Sequence, residues 1–99
     1  MPSSAMDATV ATRKRLEEIE AELAQLRAQY EELRRRWDWE KQLLQQIRSV
    51  KAQIEQLRIE AADAERVGDY GRVAEIRYGR IPELERQLQQ LNEELDRSG

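Results

Sequence analysis

Residues 16–47 read LEEIEAELAQLRAQYEELRRRWDWEKQLLQQI, and the spacing of the apolar side chains in this stretch decides the fold. Leu16, Ile19, Leu23, Leu26, Tyr30, Leu33, Trp37, Leu44 and Ile47 alternate three and four residues apart. With Leu16 at heptad position a and Ile19 at d, the register runs to Ile47 with one polar interruption, Glu40 at d. A 3.5-residue period marks a seam that must be buried against another helix. Thr9 or Thr12 can cap the start, and a helix from about 12 to 47 would be roughly 50 Å long. The predicted fold is all-α: an antiparallel helical coiled coil or short helical bundle, with one long helix and a return segment of two helices.

Downstream the seam slips. Strict heptads require an apolar residue at 51, where Lys51 stands, and the apolar set resumes at Val50, Ile54, Leu57, Ala61 and Ala64. Ser49 lies beside the phase change and is a residue type that caps helices. A tight turn over Gln46–Ser49 is therefore expected, with a second helix over about 50–67. Val67-Gly68-Asp69-Tyr70-Gly71 is a further boundary. Gly68 suits the left-handed position after a helix, and Asp69 suits the cap of the next one. A third helix over about 70–96 presents Val73, Ala74, Ile81, Leu84, Leu88, Leu91 and Leu95. Pro82 inside it removes one backbone hydrogen bond and crowds the carbonyl of Tyr78, so a bend or local break is expected there. Two topologies fit. Either the third helix folds back on the second, or the second and third form one broken return strand that leaves the stripe from about 82 to 96 uncovered and prone to self-association.

Composition limits what such helices can do. Ninety-nine residues form at most one domain, here a coiled-coil wing over 7–99. Residues 1–6 are expected to be a disordered start or a cloning scar. Seventeen basic against twenty acidic residues leave a net charge of -3, which gives no basic footprint for nucleic acid. No apolar run approaches the ~20 residues of a membrane span. The absence of Cys and His removes disulfides, thiolate chemistry and the usual zinc ligands. Paired helices offer no concavity in which carboxylates could converge. No catalytic, cofactor-binding or metal site is expected, and the chain is read as a non-enzyme.

A few side chains invite more than packing. Trp37 sits on the seam and is expected in the core. Trp39, at position c, faces away from a two-stranded seam, so it packs on a third helix or is an exposed contact for a partner. Glu40 on the seam is a candidate register-fixing residue. Tyr78 is either a ring packed at the Pro82 kink or a latch against another surface.

The stretch AERVGDYGRVAEIRYGRIPELE, residues 64–85, closely resembles the middle (M) domain of the ClpB-type AAA+ disaggregases, whose signature runs AERxGDLxRxAELxYGxIPELE. Upstream, Arg36-Trp37 followed by Glu40-Lys41 resembles the W-x-x-E-K of that family's long first helix. Tyr70 replaces the usual Leu, and Gly71 the usual helix former. The resemblance implies the distal wing, or motif 2, of a two-winged coiled coil inserted in the first ATPase domain of a hexameric, ATP-driven unfoldase of the cytoplasm. It implies a regulatory role: the docked wing restrains ATP hydrolysis, and its outer end recruits the DnaK-type chaperone. The implied partners are that chaperone, the first ATPase domain and the neighbouring M domains. ATP and magnesium would belong to the parent protein and not to this segment. By position, Lys51 matches a basic residue at the chaperone-facing surface, with Glu55 and Arg58 on the same face. Tyr78 matches the tyrosine of the repressing latch, and Asp7 an acidic partner. The competing reading is a structural or dimerisation coiled coil with no chaperone role, in which the fragment self-associates.

Overall fold

The computed structural model describes residues 2–98. It contains α1 (Pro2–Arg66), α2 (Tyr70–Glu75), a π-helical turn (Ile76–Arg80) and α3 (Ile81–Ser98). One long helix with a return segment in two helical pieces is the predicted architecture, with one boundary moved. The expected turn at Gln46–Ser49 does not exist, and α1 passes through it without a break. The helices expected over 12–47 and 50–67 are therefore parts of one. Ser49 caps nothing; its Oγ accepts a hydrogen bond from Gln53 Nε2 at 3.2 Å, one turn further along. Thr9 and Thr12 likewise do not cap. Their hydroxyls donate to the carbonyls of Ala5 and Ala8 inside the helix, each at 2.9 Å. Residues 2–6, expected outside the fold, are helical, and Met1 lies outside the described residues. Pro2 is compatible with a first helical position, where its missing N–H has no intrahelical acceptor to lose.

The chain reverses at Gly68. It is the only described residue with a positive φ, +79°. The N–H of Asp69 donates to the carbonyl of Ala64 at 2.9 Å, and that of Gly68 to Glu65 at 3.1 Å, the paired bonds of a Schellman motif. Asp69 then turns from helix stop to helix start, its Oδ1 accepting from the N–H of Arg72 at 3.2 Å. The second and third predicted helices are thus hairpinned and not collinear. The stripe from 82 to 96, which one of the two topologies left uncovered, is folded against α1.

The structure divides into two compact units, residues 1–37 and 38–99. In the second, Leu43, Ile47, Val50, Ile54 and Ala61 of α1 share a core with Ile76, Ile81, Leu84 and Leu91 of the return segment, and Leu57, Leu88 and Leu95 pack at its margin. The buried set on α1 keeps a regular four-three spacing from Leu43 to Ala64. The phase slip at Ile47 is a change of helix face, not a turn, and Leu43 (4% exposed) takes the place expected of Leu44 (40%).

On the return segment the buried spacing is irregular in one place. Val73 to Ile76 is three residues, Ile76 to Ile81 is five, and three-four spacing resumes through Leu84, Leu88, Leu91 and Leu95. The π turn accounts for the five. The N–H of Ile81 bonds to the carbonyl of Ile76, an i→i−5 link. One extra residue is absorbed in the wide turn, and the apolar stripe emerges in phase. Pro82 favours this arrangement because it has no N–H to give the Tyr78 carbonyl and its ring crowds that oxygen. The expected break at Pro82 is therefore a widened turn that leaves the helix continuous.

The described part of the first unit, residues 2–37, is a single helical stretch. Its seam is solvent-exposed from Leu16 to Trp37, and Trp37, expected in the core, is 57% exposed. The heptads of residues 16–37 predict a covering helix.

Candidate partner-binding surfaces

Within the second unit, Lys51, Glu55 and Arg58 are all exposed. Their spacing of four and three places them in one row on α1, each one residue beyond a core position. Arg58 Nη1 lies 3.5 Å from Glu55 Oε2, so these two charges offset each other and the row's net positive charge sits at Lys51. The structure therefore places the three predicted contact residues on one accessible face. Trp39 is exposed, as a partner contact requires, and Glu40 is half-buried. No charged side chain among the described residues is buried, so Glu40 fixes register at most from the margin.

Tyr78 lies in the π turn and is 83% exposed. The reading of a ring packed at the kink is overturned. The inserted residue moves Tyr78 off the buried stripe, and the side chain anchoring this turn is Ile76, 0% exposed. Beside Tyr78, a Cβ built on Gly79 would meet nothing within 4 Å. Gly79 has no positive φ, so neither space nor backbone conformation requires glycine there. Asp7, the other expected latch residue, is exposed in the first unit.

Two arginines clasp the hairpin near its closed end. Arg77 Nη2 reaches Glu65 Oε2 at 2.8 Å, and Arg72 Nη2 reaches Glu60 Oε2 at 3.3 Å. Sequence reading missed both, and missed Ile76 and Leu43. For Ile76 the signal was present: counting back from Ile81 by five, with proline following, gives the one-residue insertion. The clasp left no comparable signal, because its partners are twelve residues apart and belong to opposite strands of a turn that has first to be placed. Close to the turn, Val67 and Tyr70 add exposed apolar surface.

The surface offers contact and little chemistry. No group of three or more His, Cys, Asp or Glu among the described residues is arranged to hold a metal ion. ATP and magnesium are implied for a longer parent and not for this segment. No helix among the described residues is long and apolar enough to cross a membrane.

Over 86 residues the chain is 50% identical to the chaperone protein ClpB of Corynebacterium efficiens, a match spanning 87% of this chain and 10% of that protein. The chain is homologous to ClpB chaperones. A probable chaperone protein ClpB 1 of Chlorobaculum tepidum is 43% identical over 88 residues, 89% of this chain and 20% of that protein. ClpB of Mycobacterium leprae is 47% identical over 79 residues, 80% of this chain and 9% of that protein. The chain thus spans between about a tenth and a fifth of the length of these curated relatives. No protein-family model and no solved structure matches it. The helical hairpin suits an M-domain-like region of ClpB. The 86-residue ClpB match, in a chain of 99, must include the Gly68 turn and the π turn.

Proposed function

We propose that this chain is the distal, motif 2 wing of a ClpB-type M domain, a non-catalytic regulator that restrains a cytoplasmic ATPase ring when docked and recruits a DnaK-type chaperone when released. The observation that carries this reading is the π turn: a one-residue insertion keeps the core in phase while turning Tyr78 out to solvent beside a glycine the fold does not need. A helix used only for packing gains nothing from either. A surface that must receive another backbone gains an aromatic ring and a clear approach to it. Tyr78, with Asp7, is the repressing latch. Lys51, Glu55 and Arg58 form the chaperone-facing row, and Trp39 is an additional contact. Surface ion pairs contribute ~0.2 to 1 kcal/mol each, which suits a contact that opens on demand. The ATPase domain and neighbouring M domains of a hexameric parent are the partners on the repressed side.

The test is a two-dimensional NMR titration of the labelled chain with unlabelled DnaK of the same organism. Resonances of the Lys51–Arg58 row are expected to shift or broaden, and Lys51→Glu to weaken the effect. A folded chain whose spectrum stays unchanged at saturating DnaK would remove the recruitment role.

A further inference from the structure

The π turn that exposes Tyr78 also leaves backbone acceptors open beside it. The N–H of Ile81 goes to the carbonyl of Ile76, and Pro82 has no N–H. The carbonyl of Arg77 therefore lacks both of its helical donors, the N–H four residues on and the N–H five residues on. The carbonyl of Tyr78 lacks the one four residues on. A helix carbonyl without an internal donor keeps its acceptor capacity for an outside group. Next to these acceptors stands the Tyr78 side chain, 83% exposed, whose hydroxyl has no partner among the described residues.

Charge decides which kind of group fits there. Glu75, Gly79 and Glu83 follow one another at four-residue intervals, so they form one row along the outer face of the return segment. A Cβ at Gly79 would meet nothing within 4 Å, and the middle of the row is a gap between two carboxylates. Glu83 is exposed and has no ion-pair partner among the described residues. Glu75 lies 4.0 Å from Arg72, which reaches Glu60 more closely at 3.3 Å. The neighbouring cations do not fill the gap. Arg77 is held by Glu65 of α1 at 2.8 Å, and Arg86, one turn beyond Glu83, makes no ion pair with it.

We infer that the surface receiving the Tyr78 latch presents an arginine side chain to this gap, a deepening that rests on the latch reading above. A guanidinium carries a planar fork of N–H donors. It donates to the open carbonyls and to Glu83 while its face lies on the Tyr78 ring. A lysine is a point charge that serves fewer of these acceptors at once. A carboxylate would be repelled by Glu75 and Glu83, and an apolar group would leave the carbonyls dry and unpaired. The same occupant explains Gly79, which neither packing nor backbone conformation requires: a side chain there would stand in the path of the guanidinium.

The test uses the full-length parent, with docking read as amide-exchange protection of the segment 76–83. Glu83→Gln removes the charge and should speed exchange roughly 10-fold, and Gly79→Leu, which fills the gap, should do the same. Neither should change protection at Ile76 in the isolated chain, which separates lost docking from a disturbed turn. A p-benzoylphenylalanine in place of Tyr78 keeps an aromatic ring and should photocrosslink to a peptide that contains an arginine. Reversing that arginine to glutamate should release the segment, and adding Glu83→Arg should restore protection. If Tyr78→Ala frees the segment while Glu83→Gln and Gly79→Leu do not, or the crosslinked peptide has no arginine, the inference is overturned and the latch stands. If Tyr78→Ala itself changes nothing, the latch reading is lost and this inference with it.

Discussion

Residues 16–37 and 43–64 both lie on α1, both carry apolar side chains at three-four spacing, and they have opposite fates. The second stripe is buried under a return strand of the same chain, and the first is open to solvent. Both offer seven apolar positions, Leu16 to Trp37 in the first and Leu43 to Ala64 in the second. Within the second unit the reversal at Gly68 delivers α2 and α3 to the stripe from Leu43 to Ala64. A heptad therefore reports that a seam exists and says nothing about who covers it.

Core substitutions should separate the two regions most sharply. Ile76→Ala removes the most buried large side chain of the hairpin and should destabilise it by about 2 to 5 kcal/mol, read by urea unfolding. Leu26→Ala, measured where the chain is monomeric, should cost the hairpin no more than about 0.5 kcal/mol. Equal effects would mean that residues 16–37 are covered within the chain. Next in size is the turn that creates the difference. Gly68→Ala forces a Cβ into left-handed backbone and should cost about 1 to 2 kcal/mol. A Cβ there touches nothing within 4 Å, so the loss is purely conformational, and Gly68→Asn should recover part of it.

The π turn offers a way to make the two stripes alike. Deleting Gly79 changes the buried spacing on the return strand to an unbroken three-four alternation, and Pro82→Ala in the same chain removes the clash with an α-helical turn. The double variant should be more stable than the parent by about 1 kcal/mol or more, with a continuous α-helix by NMR. It should lose the latch at Tyr78. Pro82→Ala alone should keep the π turn, because the five-residue step from Ile76 to Ile81 still demands it. The smallest effect belongs to the clasp. A double-mutant cycle on Glu65 and Arg77, both roughly half exposed, should return a coupling of about 0.2 to 1 kcal/mol that falls with added salt.

These contrasts show what the sequence could and could not convey. The Gly68–Asp69 boundary was legible because it depends on local chemistry, a residue free to take positive φ followed by a side chain that caps, whereas the reversal of the chain there was one of two topologies the sequence left open. The continuity of α1 through Ser49 was not. A slip in apolar phase looks the same whether the chain turns or the helix offers a different face. Leu43 and Leu44 are adjacent and chemically identical, so only the return strand decides which is buried. Ile76 was hidden by the inserted residue, since a search at strict helical period skips a five-residue step. Of the candidate contacts, exposure of Lys51, Glu55 and Arg58 followed from helical geometry. That of Tyr78 did not, because the expected kink could equally have turned its ring inward.

The Schellman turn has a consequence for how the hairpin folds. Its earliest cross-strand contacts, Glu65 with Arg77 and Glu60 with Arg72, join residues only twelve apart. Closing a loop of about that size takes on the order of 10 to 100 ns. Each later rung lies one helical step farther from the turn, so the second unit can zip outward from Gly68 without a long-range search, the low-contact-order regime of fast folding. Opening runs the same path backwards. The rungs beside Leu95 and Leu43 should exchange their amides first, and those beside Ile76 last.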